Sequence, residues 1–203
     1  MQPFVNTIPG YRVMEYRLAL SLPEELRVRI QKIRKEFATS FQLENSGSGR
    51  PQLTLAAFSQ HAMLEERIMN RLRTVAMGYP PFKVELRDFG SYPSHSIFIN
   101  VESKAAVTGL VKSIRTEAQR LMKMNEEQKP FFIGDPHIIV AAKLKPWQYE
   151  KGWLEYSHRH FSGRFIATEM LVQRREEGAL KYQTIHAFSL QNMPVATRQG
   201  QLF

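Results

Sequence analysis

Cysteine is absent from the 203 residues, which excludes disulfides and thiolate-held metals and accords with a reducing compartment. No apolar run approaches the roughly 18 residues that a membrane span requires, and Met1-Gln2-Pro3-Phe4 lacks the basic and apolar segments of a secretion signal. The expectation is a soluble, cytoplasmic protein with no membrane partner. Acid is scarce relative to base: 19 Asp and Glu stand against 28 Lys and Arg, a formal charge of +9. Such a chain concentrates polyanions in a salt-dependent way, although an evenly basic, solvated surface carries the same total. The glycines of Asn45-Ser46-Gly47-Ser48-Gly49-Arg50 lack P-loop spacing, so that stretch reads as a surface loop.

What the chain does contain is a repeat. Pro51-Gln52-Leu53-Thr54-Leu55-Ala56-Ala57 and Pro136-His137-Ile138-Ile139-Val140-Ala141-Ala142 both open with proline, place a polar residue second, and run through an apolar strand into Ala-Ala. The offset is constant at 85, since 136 less 51 and 137 less 52 agree. Strand alternation puts Gln52 and Thr54 on one face of the first copy, and His137 and Ile139 on one face of the second.

Around the repeat, periodicity predicts the remaining elements. Residues 11–22 read as a strand stopped by Pro23. Pro23-Glu24-Glu25 then open a helix with Leu26, Ile30, Ile33 and Phe37 as its apolar stripe. Arg27, Arg29, Lys32, Arg34 and Lys35 form what reads as a solvated basic face. Helices follow over 63–77, 105–124 and 146–158, with strands over 82–86 and 96–101 joined by a turn at 92–95. Residues 165–172 and 182–190 read as a hairpin, and the tail from Gln191 lacks periodicity. This order predicts one α+β domain over residues 1–203, its repeat units centred on 51–58 and 136–143. It would be two-lobed, with two pseudo-symmetric, mostly antiparallel sheets, helices outside, and the repeat strands side by side at a central cleft.

Paired Pro-His-x-Thr-apolar strands in two halves of a chain of this length resemble the 2H phosphoesterase superfamily, which includes the bacterial 2'-5' RNA ligases, or RNA 2',3'-cyclic phosphodiesterases. Residues 17–24 resemble that family's opening strand and helix start, and residues 182–190 its closing strand. The resemblance implies a metal-free, cofactor-free reaction at a 2',3'-cyclic phosphate. One imidazole activates water or a hydroxyl, the other protonates the leaving oxygen, and two hydroxyls hold the phosphate. The implied partner is RNA or a nucleotide with a terminal or cyclic phosphate.

The sequence departs from that pattern twice. Gln52 stands where the first histidine would, and its amide has no proton to exchange near neutrality; Ile139 stands where the second hydroxyl would. Of the catalytic positions, His137, Thr54 and Gln52, only the first two retain the expected chemistry, with Arg17 and Ile139 completing the substrate-binding wall. Loss of one proton-transfer group costs about 10²- to 10⁴-fold in rate, so the resemblance implies weakened or altered catalysis. The alternative is a non-catalytic protein that holds RNA or a phosphorylated ligand on the same fold. Elsewhere His61 lies too far along the chain from Gln52 to reach the cleft unless the chain doubles back, His95 reads as a turn residue, His186 as a core-edge residue, and His158 with His160 as a basic rim or a surface loop.

Overall fold

In the computed structural model, which describes residues 9–43 and 49–194, strand β1 (Val13–Ser21) sets the layers. Tyr16, Leu18 and Leu20 are fully buried on one face, while Glu15 and Arg17 project from the other. Helix α1 (Glu24–Ser40) begins after Pro23, with Glu24 and Glu25 at its positive end, and buries Leu26, Ile30 and Phe37. The chain continues through β2 (Gln52–His61), α2 (Glu65–Gly78), β3 (Phe82–Tyr92), β4 (Ser96–Val101) and α3 (Lys104–Met122). It then forms β5 (Phe131–Phe132), β6 (His137–Ala142), α4 (Pro146–Tyr156), β7 (Ser162–Ala167), β8 (Glu169–Glu176) and β9 (Gln183–Ser189). Residues 44–48 of the predicted loop, and 195–203 of the tail, lie outside the described residues.

The architecture is α+β in two lobes. A larger sheet runs β5-β2-β1-β8-β9 and a smaller one β6-β4-β3-β7, and every pairing is antiparallel. Helices α2 and α3 pack on the larger sheet, and α1 and α4 on the smaller. No described helix is long and apolar enough to cross a membrane.

Two expectations need correction. The lobes are not successive halves, because β1 and β2 share a sheet with β8 and β9 from the far end of the chain. The stretch 165–172 is not one strand: the chain breaks at Thr168, leaving β7 in the smaller sheet and β8 in the larger, and β8 alone forms the hairpin with β9. A continuous apolar run cannot reveal such a change of sheet, since both segments are half-buried strands. The repeat strands do lie side by side at the cleft, in contact across the two sheets rather than paired within one: β2 lies between β5 and β1, and β6 is an edge strand whose described pairing is with β4.

The repeat nevertheless extends to backbone detail. In β2 the register against β1 passes from Leu18 opposite Ala56 to Ala19 opposite Thr54, leaving Leu55 as an extra residue. In β6 the register against β4 passes from Ile97 opposite Ala141 to Phe98 opposite Ile139, leaving Val140 as the extra residue. These two bulges are again 85 apart (140 less 55). Each bends its strand immediately beyond the residues that carry the motif.

Packing where α1 crosses α4 yields a stability prediction of unusual sign. A Cβ on Gly152 would lie 2.7 Å from two ring atoms of Phe37 and 3.3 Å from Ile97. Phe37 is fully buried, its ring centroid 4.5 Å from that of Phe41 and 5.2 Å from that of Tyr156, so it has nowhere to retreat. Glycine to alanine inside a helix ordinarily stabilises by about 0.5–1 kcal/mol. At Gly152 the overpacking prevails, and Gly152→Ala is expected to lose about 1–3 kcal/mol, read as a melting temperature lower by several degrees.

Candidate functional site

The cleft faces of the two sheets enclose a cavity of about 740 Å³. Gln52, Thr54, His137, Ile139 and Arg17 all line it. Gln52 and Thr54 reach it from the exposed face of β2, where they lie opposite Ser21 and Ala19 of β1. Arg17 sits on the same face of β1, between Ala57 of β2 and Gln173 of β8. His137 and Ile139 approach from the edge strand β6.

His137 is fixed by its surroundings. Its ring lies 4.5 Å from Phe98 and 5.4 Å from Tyr92, centroid to centroid, and its Nδ1 is 2.6 Å from the backbone carbonyl of Asp135. A carbonyl only accepts, so Nδ1 carries the donated hydrogen and Nε2 is the nitrogen left with a lone pair in the neutral ring. The Asp135 carboxylate does not touch that imidazole through any described hydrogen bond; it pairs with Lys104 at 2.7 Å. Burial, and then the charge of Asp135, push the Tyr92 phenol above its ordinary value, so it remains a neutral ring beside the imidazole.

Gln52 is committed to a different partner. Its amide nitrogen donates to Gln173 Oε1 at 2.9 Å, and Gln173 returns a bond of 2.9 Å to Gln52 Oε1. This amide pair spans β1 above the small Ala19 and Ser21, which leaves room for it. Among the described residues no hydrogen bond engages the Thr54 hydroxyl, which is therefore available to a ligand oxygen. His61 is remote from the cavity, at the end of β2, with Nδ1 2.9 Å from the Tyr11 carbonyl. His95 closes the β3–β4 turn, His186 stacks on Phe188, and His160 lies 3.3 Å from Asp88.

Charge distinguishes this cavity from the one beside α1 and β7. Among the described residues its lining contains Arg17, Arg34, Arg50 and Lys143 but no Asp or Glu. None of the ion pairs among the described residues involves these four cations. A second cavity of about 550 Å³ beside α1 and β7 places Glu25, Glu85 and Glu102 among its arginines, so its charges offset one another. A third, about 600 Å³, adjoins the first through Arg17, Arg50 and Gln52, and adds Lys181, Thr184 and Arg175 with no acid among its described lining residues. At their junction the Arg17 guanidinium lies 4.0 Å from the Tyr182 ring centre and that of Arg175 4.5 Å from it. The Tyr182 hydroxyl donates to Glu15 at 3.1 Å, and Arg175 Nε donates to the same carboxylate oxygen at 2.6 Å.

Arg34 is the residue that a solvated-face reading of α1 misplaces. Its side chain leaves the helix toward β6 and donates to the Ile139 carbonyl from Nε at 2.9 Å and from Nη2 at 2.5 Å, and to the Gly49 carbonyl from Nη1 at 3.1 Å. Burial pulls its guanidinium down to about 10. Helical spacing contains the signal, since Ile30, Arg34, Phe37 and Phe41 fall at i, i+4, i+7 and i+11 on the inward stripe. Gln173, Arg50 and Lys143 were also unmarked. Gln173 becomes visible only through the β1–β8 register, which joins residues 121 apart in sequence to Gln52.

A model of the 2'-5' RNA ligase superfamily matches residues 22–179. Among solved structures, Escherichia coli LigT complexed with 3'-AMP has a TM-score of 0.62 at 18% identity, over 88% of this chain and 98% of that one. The Thermus thermophilus protein TT0787 has a TM-score of 0.62 at 20% identity, over 87% and 98%. The phosphate complex of E. coli LigT has a TM-score of 0.61 at 19% identity, over 89% and 99%. At such identities the likeness is one of fold. No curated protein matches the chain in sequence.

Proposed function

Since the chain belongs to the 2'-5' RNA ligase superfamily, we propose that its basic cavity holds the phosphate of a nucleotide or an RNA end, with His137 as the proton-transfer group. The observation that carries this reading is the lining itself: Arg17, Arg34, Arg50 and Lys143 gathered around His137 and Thr54, with no carboxylate among the described lining residues. Cations brought together in a concave site raise one another's electrostatic energy, and an anion relieves it. The complexes of E. coli LigT with 3'-AMP, phosphate and ATP support a ligand of this chemistry.

In this arrangement Thr54 donates its hydroxyl hydrogen to a phosphate oxygen, and Arg17 neutralises charge from the β1 side. His137, with Nδ1 tied to Asp135, uses Nε2 to take a proton from the attacking oxygen or, once protonated, to give one to the leaving oxygen. Gln52 can hydrogen-bond a phosphate or a water but moves no proton, so the opposite transfer falls to solvent. Turnover of a 2',3'-cyclic nucleotide is expected to be slow. His137→Ala is expected to lower it by a further 10²- to 10⁴-fold or so, measured by chromatography of 2',3'-cyclic AMP hydrolysis. Equal turnover in the two proteins removes the catalytic role.

A second reading, binding without catalysis, is favoured by the Gln52–Gln173 pair, in which each amide satisfies the other. It predicts calorimetric binding of 3'-AMP by the natural chain with no hydrolysis of the cyclic nucleotide.

A further inference from the structure

We propose that Arg34 is the anion-holding group of the β6 wall, supplying to a phosphate oxygen the donors that the Ile139 side chain lacks. This rests on the cavity being a phosphate site, and adds to that reading a residue outside both motifs.

The assignment begins with the donor count. A guanidinium has five N–H groups, and three of Arg34's are engaged, two on the Ile139 carbonyl and one on that of Gly49. Two remain, on Nη1 and Nη2, and the residue lines the cavity. The three engaged bonds remove the freedom of a long side chain, so the remaining pair is held in place before any ligand arrives. Its anchor is the backbone of Ile139 itself. The cation is thereby tied to the one motif position that presents no hydrogen-bonding side chain.

A purely structural role explains less. As an edge strand, β6 needs a donor for an outward carbonyl, but a neutral amide would serve and would carry no desolvation cost. The chain instead places a permanent charge there, enough buried that the neutral form becomes easier to reach. No ion pair among the described residues compensates it. A partly buried guanidinium at a cavity wall, without a carboxylate partner among the described residues, is what an oxyanion site requires, because the ligand then supplies the counter-charge.

The test is calorimetric titration of 3'-AMP and of inorganic phosphate into the natural chain and into Arg34→Gln, which keeps an amide for the Ile139 carbonyl but removes the charge. The expected result is a roughly 10- to 100-fold loss of affinity at an unchanged melting temperature. Adding Ile139→Thr to that variant is expected to recover part of the loss. If Arg34→Gln binds as tightly as the natural chain, the role of Arg34 is overturned while the cavity's function stands. If the natural chain binds neither probe, both fall. Should Arg34→Gln fail to fold, phenylglyoxal labelling of the natural chain decides the matter. Mass spectrometry is expected to show Arg34 protected by saturating 3'-AMP, and equal labelling with and without it overturns the proposal.

Discussion

Gln52→His combined with Ile139→Thr is expected to speed hydrolysis of 2',3'-cyclic AMP by about 10²- to 10⁴-fold over the natural chain. The scaffold needed for the gain is already present. The two motif strands carry bulges at equivalent positions, Leu55 and Val140, and both residue 52 and residue 139 line the cavity. An imidazole at 52 would meet Gln173, whose Oε1 now accepts from Gln52 at 2.9 Å and could accept a ring N–H instead. That bond would fix a tautomer as the Asp135 carbonyl fixes that of His137. Threonine at 139 returns a hydroxyl to a wall where the backbone is already held by Arg34.

Most of the gain is expected from Gln52→His alone, because proton transfer is the larger deficit. The pH dependence of kcat/KM should also change, from one governed by a single histidine to a bell set by two. A double variant that melts like the natural chain yet shows the same turnover and the same pH profile would refute the assignment of residue 52 to the catalytic position.

The same residues show which parts of the molecule were legible without coordinates. The motif strands were, because a repeat at fixed offset constrains two segments at once and strand alternation then fixes which side chains share a face. Helices α1 to α3 were, since each carries an apolar stripe at helical spacing, and α4 was from its aromatic residues among charges; their observed ends differ from the expected ones by only a few residues. Strand β5 was not, being two residues long and held by pairing with Ala56 and Ala57. The passage from β7 to β8 was not, because changing sheets is a tertiary event that leaves no mark on alternation. In the candidate site, Thr54, His137 and Gln52 were found by the repeat, but Arg34 was hidden among five basic residues of one helix. A charge run is usually solvated, and only the packing of α1 against β6 distinguishes Arg34 from Arg27 or Lys35. The Gln52–Gln173 pair was beyond reach for a simpler reason: nothing within either strand specifies that β8 lies two strands away from β2.

Binding of a short single-stranded RNA is expected to weaken roughly 20- to 50-fold between 50 and 200 mM salt, on the assumption that about three or four phosphates are neutralised at about 0.7 counterions each. The cations for this are arranged in a continuous path. Arg34 and Lys143 line the motif cavity, Arg17 and Arg50 line both it and its neighbour, and Lys181 extends the neighbour outward. Arg175 contributes less, because Glu15 already holds its charge. Neutralising Arg17 is expected to lower the slope of log affinity against log salt by about 0.7, because one phosphate contact is lost. It also frees Tyr182 from one of the two guanidiniums that approach its ring.

The comparison that decides between an RNA strand and a lone nucleotide is 3'-AMP in the same salt series. Its single phosphate engages one part of this path, so its slope should be shallow, while an RNA long enough to occupy both cavities should show the full one. Fluorescence anisotropy with a labelled oligonucleotide, and calorimetry with 3'-AMP, measure the two slopes. Equal, shallow slopes would confine the ligand to the motif cavity and make this a nucleotide site. A steep slope for RNA that falls on replacing Arg17 or Lys181 would make the second cavity the track along which the strand leaves the site of Thr54 and His137.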